Sequence, residues 1–120
     1  MTLGWNELSL AVKRRDTGTI VHRLPYIEQC LRRSPTLTRE RVEAEMLQGR
    51  RLVLRPCPFP YNVDASHYIL WVRDTITHVE AWRLLARRIS LPFLLYENPS
   101  EFRSVPHTQH FHVFVRGVLE

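Results

Sequence analysis

Lysine is nearly missing from this chain. Of its 17 basic residues only Lys13 is lysine, and the rest are arginine, giving a net charge of +5. An arginine fork grips phosphate or carboxylate in a way an ammonium cannot, although a GC-rich genome produces the same bias without selection for binding. Cysteine is scarce as well. Cys30 and Cys57 have neither the CxxC spacing of a metal site nor the density of a disulfide scaffold. Two buried, reduced thiols are therefore expected, and with them an intracellular setting: cytoplasm or nucleus, or a virion if the source is viral. No apolar run approaches the roughly 18–20 residues that a transmembrane helix needs. The stretch Met1-Thr2-Leu3-Gly4-Trp5-Asn6-Glu7 lacks the basic-then-apolar layout of a secretory signal. Internal repeats, low-complexity tracts, and helix-turn-helix, zinc-finger or RNA-recognition motifs are all missing.

What remains is an ordinary globular composition, 44% apolar and 24% charged over 120 residues, expected to form one domain. Residues 1–49 read as helical. Trp5, Leu8 and Val12 recur at helical spacing, with Lys13, Arg14 and Arg15 at the basic end and Gly18 as a stop. Leu24-Pro25 opens a second helix with Tyr26, Ile27, Cys30 and Leu31 as its inner face. A third runs from Leu37 to Gln48, capped by Thr36 or Thr38 and ended by Gly49.

Residues 50–120 change in texture. Arg51–Arg55 and His67–Arg73 read as strands, the second an interior one, separated by a stiff proline-rich loop from Pro56 to Asp64. Thr77-His78-Val79-Glu80 fits a capping box, starting a helix through Ile89 with Ala81, Trp82, Leu85 and Ile89 inward. Pro92–Tyr96 and the segment after His110 supply two more strands. Helices segregated from strands predict an α+β fold: a helical N-terminal half packed on a small mixed or antiparallel sheet of about four strands.

The chemistry concentrates near the C-terminus. On a strand, His110, His112 and Phe114 share one face while Phe111, Val113 and Val115 take the other. A histidine triad needs its histidines at every second position, but Thr108 stands at the first and His107 is out of phase. A rolling-circle nickase needs a tyrosine beyond its His-hydrophobic-His pair, and Tyr26, Tyr61, Tyr68 and Tyr96 all precede His112. A divalent-metal site is the remaining catalytic candidate, with His67, His110, His112 and Asp64 as ligands; it requires His67 to meet the other two, as parallel neighbouring strands would arrange. The plainer alternative has the histidines bonded to loop backbone. Arg103 and Ser104, and Arg83, Arg87 and Arg88 on the fourth helix, are candidate anion-binding groups. A protein partner or larger assembly is the expected partner class, with nucleic acid the alternative.

Several of these segments together resemble the N-acetylglucosamine-induced protein family. The resemblance rests on Leu52-Val53-Leu54, then Pro60-Tyr61-Asn62-Val63-Asp64, then His67-Tyr68-Ile69-Leu70-Trp71. It continues in Asn98-Pro99-Ser100-Glu101-Phe102-Arg103-Ser104-Val105 and ends in His110-Phe111-His112-Val113. These occur in the family's order across residues 51–115, and Trp5-Asn6-Glu7-Leu8 and Arg32-Arg33-Ser34-Pro35 match more loosely. The chain is shorter than typical members between the third helix and the proline-rich loop. Since that family's activity is not established, the resemblance implies a fold and a small binding or accessory module. A metal- or phosphate-dependent hydrolase and a basic nucleic-acid-binding domain are the alternatives.

Overall fold

The segment Ser66–Val72 (β2) is apolar on both sides of its pleat, and burial follows: Ile69 through Val72 are all buried. A strand of this kind needs a neighbour on each edge and a layer on each face, and the computed structural model, which describes residues 2–99 and 108–119, supplies all four. Leu52–Pro56 (β1) pairs with one edge of β2, and His110–Val115 (β4) with the other. Phe93–Tyr96 (β3) adds to the far side of β4, so the sheet order is β1-β2-β4-β3 and every pairing is antiparallel. An α+β fold with a four-stranded antiparallel sheet is thus what the chain forms.

The two faces bury different layers. Leu70, Val72, Leu95, Phe111, Val113 and Val115 pack on Ala81, Leu85 and Ile89, from the helix His78–Arg88 and the residue after it. That helix, α5 below, connects β2 to β3, which run parallel with β4 between them. The opposite face carries the N-terminal helices. Leu8 and Ala11 of α1 (Trp5–Lys13) and Ile20 of α2 (Thr17–Ile20) meet Tyr61, Tyr96 and Phe114. Beside them, Val42 and Leu47 meet Val53, Ile69 and Trp71. Phe111 and Phe114, on opposite faces of one strand, are both fully buried, and each such ring stabilises the fold by about 1.5–3 kcal/mol.

Local differences from the expected helices have local causes. α1 ends because Arg15 turns left-handed (φ 54°), not because of Gly18, which lies inside α2. Asp16 starts that short helix, its carboxylate accepting from the Thr19 N–H (3.3 Å) and hydroxyl (2.6 Å). Pro25–Arg33 (α3) begins at the expected proline but buries no residue; Tyr26, expected to face inward, is 65% exposed, and Cys30 is exposed instead of buried. The third helix starts under a Thr38 cap as α4 (Arg39–Arg41) and passes at once into a π-helical stretch, Val42–Leu47. Its wider turn closes at Gln48, which is left-handed, with Gly49 behind it. Trp71 is in the core as expected, whereas Trp82 is 49% exposed and lies over Phe93.

Candidate functional site

One row of side chains crosses the face that carries the N-terminal helices: Arg55 of β1 lies opposite Ile69, Ile69 opposite His112, and His112 opposite Tyr96. His67 is two residues along β2 from Ile69, so it is the diagonal neighbour of His112 on the same face. The antiparallel pairing therefore joins these histidines, contrary to the expectation that parallel strands were required. His67 Nε2 and His112 Nδ1 are 2.8 Å apart.

The proton positions in this pair follow from one donor. The Tyr61 backbone N–H donates to His67 Nδ1 at 3.1 Å, so a neutral His67 carries its proton on Nε2 and donates it to His112 Nδ1. The proton of His112 then sits on Nε2, facing the Tyr61 hydroxyl at 3.5 Å and the Asn98 carboxamide at 3.2 Å. Asn98 also reaches Tyr61 Oη at 3.0 Å. The structure sets the amide nitrogen of Asn98 at both contacts, where it opposes the His112 Nε2–H; turning the amide over resolves this, with the Asn98 oxygen accepting from the imidazole and the phenol. The result is a one-way chain from Tyr61 N–H through both imidazoles to the Tyr61 and Asn98 side chains.

Burial sets the charge of this chain. Desolvation, with the positive field of Arg23 adding to it, takes His67 down to about 3. His112 is held well below its ordinary range by desolvation first, then by His67, His110 and Arg23. Both are neutral at physiological pH. Tyr61 and Phe114 enclose them, with ring centroids 4.7 Å and 4.8 Å from that of His67. Burial also raises the Tyr61 phenol and takes the Cys57 thiol up to about 11.

His110 belongs to the same face but not to the relay. Its Nδ1–H donates to the Thr108 carbonyl at 3.2 Å, and its ring lies against Trp71. Asp64 is exposed, held by its backbone N–H to the Leu3 carbonyl at 2.7 Å. Among the described residues no group of three His, Cys, Asp or Glu side chains is placed to hold a metal ion. A hydrogen bond, not a metal-sized gap, joins His67 to His112. Arg83, Arg87 and Arg88 are exposed on α5, across the sheet from the histidines. Arg103 and Ser104 lie outside the described residues.

The relay ends at a cavity of about 670 Å³, within the size range of small-ligand sites. Ile69, Trp71, His110 and His112 are its floor; Leu31, residues 34–37, Met46 and the Pro56–Phe59 loop wall it, and Tyr61, Asn98, Arg23 and Arg55 complete it. Arg23 is fixed by its Nε–H to the Phe59 carbonyl (2.7 Å), by Glu28 at 3.6 Å and by stacking on Tyr61. Arg55 donates its Nε–H to the Met46 carbonyl at 2.8 Å, which lies in the last turn of the π-helical stretch and lacks an intrahelical donor. Arg23 and Arg55 were not among the residues expected from the sequence, since nothing local distinguishes them from the other arginines. Tyr61 and Asn98 did have a signal: each sits in a segment that carries the family resemblance.

No protein-family model matches the chain, and no curated protein matches it in sequence. Among solved structures, a crystal structure of HTC1 is similar in fold, with a TM-score of 0.68 at 14% identity over 94% of this chain and 84% of that one.

Proposed function

We propose that this chain is a small binding module of the N-acetylglucosamine-induced type, and that its ligand is a small molecule seated in the cavity above His112 and Trp71. The cavity carries the reading: it combines an apolar lining with a few fixed polar groups converging on one end. The relay supports it, because two imidazoles locked in one tautomer hold the Tyr61 and Asn98 side chains in fixed positions at that end. The hydrolase alternative has less support, because both ring nitrogens of His67 and Nδ1 of His112 are already committed to hydrogen bonds within the fold. An accessory role in a larger protein assembly is part of the proposal, and the exposed Leu24 and Tyr26 at the start of α3 accord with a protein partner there. An intracellular setting is also proposed, and the two free thiols accord with it. Nucleic-acid binding would draw on Arg83, Arg87 and Arg88, beside exposed Trp82.

A mixture of small aromatic fragments with anionic, neutral and cationic heads, added to ¹⁵N-labelled protein, tests the reading. Shifts are expected in the amides of the non-proline residues within 31–37, 55–59, 69–71 and 110–112. Shifts confined to α5, or no binding by any fragment, would overturn it.

A further inference from the structure

The charges around the cavity are one-sided. Arg23 and Arg55 line it, and among the described residues no aspartate or glutamate does. The two guanidiniums differ in what they have left to give. Arg23 already has Glu28 beside it, a backbone carbonyl on its Nε and the Tyr61 ring beneath it. Arg55 has only its Nε–H committed, to the Met46 carbonyl, which orients the planar head and leaves both Nη groups without a protein acceptor among the described residues. Its strand register puts it on the cavity face, one strand removed from His112 across Ile69. A cationic ligand would meet two like charges there. A purely apolar ligand would strip water from Arg55 and return no hydrogen bond. An anionic head gains a planar fork, the geometry that carboxylates and phosphates match.

Deepening the binding reading on which it rests, we propose that the cavity takes a small organic anion, with an apolar ring over Trp71 and Ile69 and a carboxylate or phosphate head on Arg55. The Pro56-Cys57-Pro58-Phe59 wall suits such a ring: it is apolar, and its two prolines hold it stiff before the ligand arrives. The Tyr61 hydroxyl, held by His112 and Asn98, serves as the hydrogen-bonding group at the inner end. Cys57, its thiol held protonated by burial, adds apolar surface and no competing negative charge.

Matched probes test this by calorimetry: 2-naphthylacetate, 2-naphthyl phosphate, 2-naphthylacetamide and 2-(2-naphthyl)ethylamine, which share a ring system and differ in the head. At least one anion should bind about tenfold or more tighter than the amide, with the amine weakest; the order of the two anions tells carboxylate from phosphate. In Arg55→Gln the anion's advantage over the amide should shrink to about threefold or less with the amide's own affinity unchanged, while Arg55→Lys keeps part of it. Because Arg55 also holds the Met46 carbonyl, the unchanged amide affinity serves as the check that the cavity survives in the variant. An amide that binds as tightly as both anions would overturn the anion proposal and leave the binding module standing. An anion preference that Arg55→Gln does not diminish would overturn the role of Arg55. Failure of all four probes to bind would remove the cavity reading and this inference with it.

Discussion

His67 and His112 are the residues whose surroundings differ most from those of a free side chain. Both are buried, both are neutral, and each relies on the other for a hydrogen bond. In the unfolded chain they take up protons near the ordinary value of about 6.5, but in the fold they resist protonation, His67 down to about 3. Below about pH 6.5 the unfolded state therefore binds more protons, so stability falls as pH falls, continuing until the folded-state value is reached. Each histidine contributes up to about 1.4 kcal/mol per pH unit across that window. The urea midpoint should drop between about pH 7.5 and 5.5, and the slope should be shallower in His67→Gln, which has one titrating imidazole fewer. An equal midpoint at both values would refute this account of the relay. The pairing itself was only half legible from sequence. The period of two on β4 places His110 and His112 on one face, but whether His67 joins them depends on register, which two unconnected strands do not reveal.

At the scale of elements, the capping box before α5 is the clearest link from sequence to structure. Thr77 Oγ1 accepts from the Glu80 N–H at 3.1 Å, and Glu80 accepts in return from the Thr77 N–H at 3.2 Å. Thr77→Ala should lower stability by about 1 kcal/mol, read as a smaller urea midpoint with an unchanged slope; no loss would mean that packing on Phe111 and Val113 alone holds the helix start. That helix, the four strands and the start of α3 were all visible as patterns, because propensity and burial agree there. Elsewhere local signals were overruled. Gly18 looks like a helix stop but lies in α2, since Arg15 has already ended α1 and Asp16 restarts the chain. Trp82 was expected inward, yet the buried stripe of α5 runs through Ala81, Leu85 and Ile89, and the Trp82 ring, beside that stripe, rests half-exposed on Phe93. The π-helical stretch has no sequence mark at all, and it presents Met46 O to Arg55.

On the scale of the whole molecule, the sheet divides a continuous core from an interrupted one. On the α5 face the buried side chains form one cluster. On the other face they form two, one under α1 and α2 and one under the π-helical stretch, and the cavity is lined by members of both. Truncations on the two faces should therefore differ in kind. Phe111 is fully buried among Leu85, Leu95 and Val113, so Phe111→Ala opens a hole closed on every side and should cost about 3–5 kcal/mol. Ile69 is floor to a space that already exists, and its side chain lacks packing partners on that side. Ile69→Ala forfeits fewer contacts and should cost about 2 kcal/mol, the low end for such changes. The readouts should also separate: Ile69→Ala changes naphthyl-probe affinity with the fold retained, while Phe111→Leu, milder on the far face, shifts the urea midpoint and leaves that affinity alone. If Ile69→Ala proved as costly as Phe111→Ala, the cavity would be filled by packing, and the face that carries the histidines would be a second closed core.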